Sequence, residues 1–334
     1  MTEPILEVKN LTVEFKLHNR TIRAVDDVSL TVNRGEIVGI IGESGSGKTT
    51  LVSGILNLVQ SPGRVTSGQV IYHPKGGKPV DLRTLSPEEF SRYRWTNLTS
   101  VFQAAQNVLN PTLRVKEHFL ETAWAHDPKA KEEDVLAKAR ELLSQVRLEE
   151  RVLDCYPHQL SGGMKQRTII ALSLILNPDI IFLDEPTTAL DVITQWYILE
   201  ILKRIQKDHG LTMVFCTHDV SIIGSVVDRL GVMYAGELIE YGPVFSMFQK
   251  PTHPYTAGLM TAIPSLRDDV TKRKAIPGNP PDLANLPDAC RFAPRCFAHA
   301  QGLCEGDRAR TRQLYPSHPE QYTRCYSWEK VLKK

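Results

Sequence analysis

The sequence predicts an α/β fold built on a buried parallel sheet, and three observations carry that reading. Ile37 to Ile41 is a short apolar run that leads directly into Gly42-Glu43-Ser44-Gly45-Ser46-Gly47-Lys48-Thr49, which matches G-x-x-x-x-G-K-[ST]. Asp179-Ile180-Ile181-Phe182-Leu183 is a second apolar run, and it delivers Asp184-Glu185 at its end. Thr212 to Cys216 is a third, and it delivers Thr217-His218-Asp219. Apolar runs of this length suit strands covered on both faces. Open parallel sheets hold their ligands beyond the carboxyl ends of the strands.

The composition narrows the class. A chain of 334 residues suffices for about two domains. With 42% hydrophobic and 23% charged residues it reads as an ordinary globular protein. A net charge of +2 gives no reason to expect a nucleic-acid partner. The longest apolar stretch, Ile169 to Leu176, is far short of the roughly 18 residues of a membrane span. The start, M-T-E-P-I-L-E-V-K-N, lacks the basic and apolar regions of a secretion signal. The expected location is therefore the cytosol, where disulfides are disfavoured.

Residues 5–15 alternate imperfectly and read as an edge strand or hairpin arm, and residues 25–32 alternate again. Phe15 stands alone in a polar setting; it suits either a partly buried hairpin aromatic or a ring on which adenine stacks. Asn33 to Glu36 turns the chain into the strand before the loop. There the glycines let backbone N–H groups curl around a phosphate. A helix starting near Lys48 adds its positive end, and Leu51, Val52, Ile55 and Leu56 give it an apolar face. Gly42, Ser44, Gly45, Ser46, Gly47, Lys48, Thr49 and Thr50 are the candidate phosphate-binding residues. Lys48 reaches the terminal phosphates and the Thr49 hydroxyl binds Mg²⁺.

Residues 61–100 read as irregular and turn-rich, apart from a helix start capped by Ser86 with Pro87 and Glu89 behind it. A short strand then leads through Gln103 into a loop. Lys131 to Glu150 is an amphipathic helix with Val135, Ala139, Leu142, Leu143 and Val146 on one stripe. Leu160-Ser161-Gly162-Gly163-Met164-Lys165-Gln166-Arg167 precedes an apolar helix from Thr168 to Leu176. Ser161 there fits a plain N-cap and an anion-binding helix start equally well. Two adjacent acids at the tip of an apolar strand are costly unless something positive meets them, and Mg²⁺ on Asp184 is the natural partner. After Asp191 a helix runs to about Lys207, and residues 230–241 read as a hairpin that closes the first domain near residue 250.

With these motifs in this order, the chain resembles the ATPase subunits of ABC transporters. The resemblance rests on the phosphate loop, Gln103, L-S-G-G-M-K-Q-R, I-I-F-L-D-E-P, A-L-D and His218. H-P-Y-T-A-G-L-M at 253–260, I-P-G-N-P-P at 276–281 and C-R-F-A-P-R-C make it similar to the dipeptide/oligopeptide importer branch. The resemblance implies a P-loop NTPase cassette over 1–250, with a RecA-like parallel sheet core, an antiparallel β subdomain and a helical insertion at about 84–176. An extension follows over 251–334. It implies that Phe15 stacks on adenine and that Gln103 contacts Mg²⁺ or the attacking water. Glu185 is the general base and His218 meets the γ-phosphate. Ser161 and Gly163 close over ATP held by a second, non-identical or identical ATPase subunit, and Asp191 crosses that interface. Two membrane permeases and, indirectly, a substrate-binding protein complete the expected complex at the cytoplasmic face of the membrane. ATP hydrolysis then energises peptide import. A soluble ABC ATPase and a redox-sensing one are the alternatives.

Six cysteines remain to be placed. Cys155 and Cys216 read as ordinary buried thiols. Cys290, Cys296, Cys304 and Cys325 lie in a Pro- and Arg-rich tail too small to fold without a staple. Their wide spacing leaves zinc, a [4Fe–4S] cluster and unligated thiols open, and the family resemblance favours the cluster. Arg291, Arg295 and Arg324 are then expected to offset its negative charge.

Overall fold

The computed structural model describes residues 3–103, 107–188, 190–262, 276–287, 289–299, 304, 315–318, 320–327, 329 and 331, with the backbone alone at 222 and 315–318. The chain divides into two compact units. The first comprises Met1–Asn33, Val38–Arg83 and Thr217–Lys334, and the second Arg34–Ile37 and Thr84–Cys216.

The first unit opens with a hairpin, β1 (Pro4–Leu17) and β2 (Arg20–Asn33), paired antiparallel, which decides between the edge-strand and hairpin readings. Its buried face carries Leu6, Val8, Leu11 and Val13 from β1 and Val25, Val28, Leu30 and Val32 from β2. The segment read as irregular contains a ten-residue strand, β4 (Gly63–Tyr72), antiparallel to β1, with β5 (Val80–Asp81) beyond it. Two glycines and a serine broke its alternation, and only Val70 and Tyr72 are fully buried. Gly68 is needed because its φ is +98° and a Cβ there would lie 2.5 Å from Leu11 Cα.

β3 (Ile37–Ile41), buried at all five positions, pairs parallel with β9 (Arg229–Tyr234). β9 and β10 (Glu237–Pro243) form the expected hairpin. Two C-terminal strands, β11 (Tyr315–His318) and β12 (Gln321–Thr323), continue from β10 in antiparallel steps. The tail thus adds strands to the sheet that carries the phosphate loop. α1 (Lys48–Ile55) buries Leu51, Val52 and Ile55, and α9 (Pro254–Ala262) buries Tyr255 and Thr256.

In the second unit β8 (Thr212–Thr217), β7 (Ile180–Asp184) and β6 (Leu98–Val101) pair in parallel, in that order. α2 (Pro87–Ser91) carries the expected capping box: Ser86 Oγ accepts from Glu89 N, and Glu89 Oε2 accepts from Ser86 N. The insertion helices are α3 (Val115–His126) and α4 (Glu132–Gln145). α4 buries the stripe Val135, Ala139, Leu142 and Leu143 but ends at Gln145, short of the expected Glu150. α5 (Gly162–Ser173) starts six residues before the expected Thr168, since Ser161 caps it directly. α6 (Val192–His209) follows Asp191. Cys216 is buried as expected, whereas Cys155 is only half-buried. Among the described residues no helix is long and apolar enough to cross a membrane.

Candidate nucleotide site

The phosphate loop links β3 to α1. Two of its glycines are required by close approach. A Cβ on Gly42 would stand 2.2 Å from Met233 O, and one on Gly47 would stand 2.2 Å from Ala24 O. Gly45, at φ +77°, has nothing within 4 Å of a Cβ and faces open space. The result is a cradle wedged between β2 and β9, with one open side. Lys48 opens α1 and is 7% exposed; its Nζ donates to Gly42 O (2.8 Å) and Glu43 O (3.1 Å). Ser46 Oγ is buried without a hydrogen-bond partner. A buried hydroxyl and an ammonium aimed into a glycine cradle fit a phosphate ligand. Ser44 and Thr49 are exposed and Thr50 is half-buried.

Phe15, near the tip of β1, is half-buried, and its Cε1 would meet a Cβ at Gly63 at 2.6 Å. It therefore packs on β4, as the hairpin reading expects, while keeping exposed ring surface. His218, also in the first unit, is exposed just past the end of β8.

The second unit carries the acids. β7 ends on Asp184, which is 1% exposed. Glu185 follows in the left-handed region, φ 51°, with its N–H donating to Cys216 O (2.8 Å). Thr188 Oγ1 donates to Glu185 Oε2 (2.9 Å), which fixes the carboxylate. Backbone strain of this kind persists where surrounding contacts over-determine it, commonly at functional residues. Gln103 is exposed beyond β6; the adjoining loop residues 104–106 lie outside the described residues.

Ser161 and Gly163 sit at the start of α5 and Asp191 at the start of α6. Ser161 Oγ accepts from Met164 N (3.3 Å), and Asp191 Oδ1 accepts from Thr194 N (3.0 Å). That capping interaction holds Asp191 below the usual carboxylate range, the Thr194 hydroxyl being the largest cause. A Cβ on Gly163 would lie 3.1 Å from Thr194 Cγ2, so the two helix starts adjoin. Beside them Val192, Ile193 and Trp196 are exposed by 74%, 80% and 60%.

The four tail cysteines come together. Cys290, Cys296, Cys304 and Cys325 line one small cavity with His253 and Phe292. Cys290 N also donates to Cys304 O (2.8 Å). Among the described residues, no three His, Cys, Asp or Glu side chains converge closely enough to hold one metal ion. The arginines correct the sequence expectation: none is reserved for a cluster. Arg291 pairs with Asp26, and Arg324 with Asp27 (3.2 Å) and Glu237 (3.7 Å). Arg295 pairs with Glu43 of the phosphate loop (2.9 Å). All three carry their charge to carboxylates of the ATPase body.

Sequence reasoning missed Glu240. It is fully buried in β10 and accepts from Thr252 N (2.6 Å), Thr252 Oγ1 (2.7 Å), His253 N (2.9 Å) and Gln321 Nε2 (2.8 Å). The available signal was an acid, Glu240, set between Ile239 and Tyr241 in a strand.

The fold and the loop together define a P-loop nucleotide-binding cassette. Residues 25–188 match the family model described as ABC transporter, and residues 239–304 match that of the oligopeptide/dipeptide transporter C-terminal region. The dipeptide transport ATP-binding protein DppD of Caldanaerobacter subterraneus is 41% identical over 97% of both chains. The oligopeptide transport ATP-binding protein OppD of Haemophilus influenzae is 38% identical over 89% of this chain and 91% of its own. A dimeric, post-hydrolysis structure of the ATP-binding cassette MJ0796 bound to ADP and Pi covers 72% of this chain and 99% of its own, at 33% identity and a TM-score of 0.63. The chain belongs to the ATP-binding subunits of the oligopeptide/dipeptide ABC transporter family.

Proposed function

We propose that this chain hydrolyses ATP within a dimer of ATPase subunits and thereby drives peptide import through a separate membrane permease. The observation that carries the reading is the pairing of a complete phosphate loop with a C-terminal region of the oligopeptide/dipeptide type. That region disfavours a soluble ABC ATPase acting in translation or repair.

Gly42, Ser44, Gly45, Ser46, Gly47, Lys48, Thr49 and Thr50 bind the phosphates, and Phe15 stacks on adenine with its exposed surface. Thr49, Gln103 and Asp184 hold Mg²⁺, which when bound neutralises phosphate charge. Glu185 orients and deprotonates the attacking water, and His218 meets the γ-phosphate. Ser161, Gly163 and Asp191 serve a second ATPase subunit. Support for that role comes from their place on two adjoining helix starts beside the exposed Val192, Ile193 and Trp196, an apolar surface that suits a partner protein. Residues 1–250 form the cassette and 251–334 the family-specific extension, at the cytoplasmic face of the membrane.

A pull-down at native expression level tests the assembly. Two permeases, a second ATPase and, in the presence of substrate, a substrate-binding protein are expected. Recovery of ribosomal or repair proteins without permeases would send the chain to a different class.

The four tail cysteines hold a [4Fe–4S] cluster in this proposal, zinc being the alternative. Four thiols around one cavity suit either centre, and the family resemblance favours the cluster. Anaerobically purified protein should be brown and carry about four irons per chain, as the cluster's composition requires. Cys296→Ser should bleach it. Colourless protein with one zinc would decide for the alternative.

A further inference from the structure

Glu43, the residue after the first glycine of the phosphate loop, is held by every polar group it has. Its N–H donates to the Tyr255 hydroxyl (3.2 Å). Its carbonyl accepts from Lys48 Nζ (3.1 Å) and Ser46 N (3.1 Å). Its carboxylate accepts from both terminal nitrogens of Arg295, each at 2.9 Å. This two-pronged, charge-assisted contact is the strong and directional kind.

Arg295 is in turn fixed from the tail. Its Nε donates to Pro277 O (2.8 Å) and its Nη1 also to the Tyr234 hydroxyl (3.2 Å). The side chain is 6% exposed and lies near the Tyr234 and Phe292 rings. Cys296 follows directly in sequence and lines the cysteine cavity. Tyr255, fully buried, packs against the same two rings. Two residues beyond position 250 therefore grip one residue of the loop, one at its backbone and one at its charge.

The charge has a consequence for the ligand. A carboxylate whose own carbonyl touches Lys48 would oppose the approach of a polyphosphate. A buried guanidinium on that carboxylate cancels the opposition, and it does so only while the tail is folded.

We propose that Arg295 is a positioning residue for the nucleotide: by neutralising and anchoring Glu43 it lets the cysteine-bearing tail set the affinity of the phosphate loop. The proposal rests on the ATP-binding reading of that loop. It assigns the tail a role in nucleotide binding whichever centre the thiols hold.

The test is titration of the full-length protein with Mg·ADP and with a non-hydrolysable Mg·ATP analogue. Arg295→Gln keeps a polar side chain with an amide donor but loses the charge, and it should weaken both ligands about tenfold. Arg295→Lys keeps the charge and should stay within about threefold of wild type. Adding Glu43→Gln to Arg295→Gln removes the uncompensated carboxylate and should recover most of the lost affinity. An arginine that acts only on stability would shift the unfolding midpoint of the single variant without a matching change in nucleotide affinity. An Arg295→Gln protein that binds like wild type, or a folded double variant as weak as the single one, would overturn the proposal. If Arg295→Gln does not fold, the double variant alone decides by the same criterion. Wild-type protein that binds neither ligand would instead overturn the ATP reading itself.

Discussion

Glu185→Gln is expected to lower ATP turnover by about 10²–10⁴-fold, the usual contribution of a positioned general base, while nucleotide binding survives. The exchange is nearly isosteric. The backbone contact to Cys216 O is untouched, and a glutamine oxygen can still accept from Thr188 Oγ1. What is lost is the capacity to take a proton from water. Phosphate release under saturating ATP gives the rate, and a titration of bound nucleotide shows that the site is intact. ATP should also accumulate in a dimer visible by light scattering. Turnover within fivefold of wild type would move the base elsewhere, and His218→Ala would be the next variant. Lys48→Ala should behave in the opposite way. It removes the ammonium from the cradle and should abolish binding itself.

Glu240→Ala should be strongly destabilising. It leaves the Thr252 N–H, the Thr252 hydroxyl, the His253 N–H and the Gln321 amide without their acceptor in a dry interior. An orphaned buried donor costs about 1–3 kcal/mol, and four together should cost at least about 3 kcal/mol after relaxation. Urea unfolding gives the number, and protease cleavage within 251–334 should appear well below the global midpoint. The same residue sets a pH dependence. Burial, the largest cause, raises its carboxyl pKa, while the donors from Thr252 and His253 pull the other way. A raised folded pKa means that folding takes up a proton. Its contribution to stability is complete below the unfolded value of about 4.3 and is lost as pH rises through the folded value. The variant should lack that slope. Stability of Glu240→Ala within about 0.5 kcal/mol of wild type, the range of ordinary surface substitutions, would contradict this account.

The phosphate loop was legible because its chemistry is contiguous. Spacing, the preceding strand and the following helix all lie within 37–56, so local physics suffices. The acids after β7 and the capping box at Ser86 were legible for the same reason. β4 was not, because its glycines and serine imitate a turn and its pairing with β1 is settled by residues 48 to 66 positions away. The arginines of the tail were read by proximity to cysteines in sequence, and each pairs instead with carboxylates more than 50 positions away: Asp26, Asp27, Glu43 or Glu237. Neither those pairs nor the partners of Glu240 carry a sequence signature, since only the folded backbone brings them together.

The bonds made by Glu240 also order events during synthesis. Its donors lie 12, 13 and 81 residues downstream. A ribosome that has just finished β10 has made a strand with an unsatisfied acid at its centre. The hairpin of β9 and β10 can close, but its interior cannot dry until Gln321 has emerged. The same holds for Glu43, whose arginine is translated 252 residues later. The nascent cassette therefore carries an unfinished nucleotide loop for most of its time on the ribosome. The phosphate loop gains its last charge-assisted contact only after residue 295 has been made.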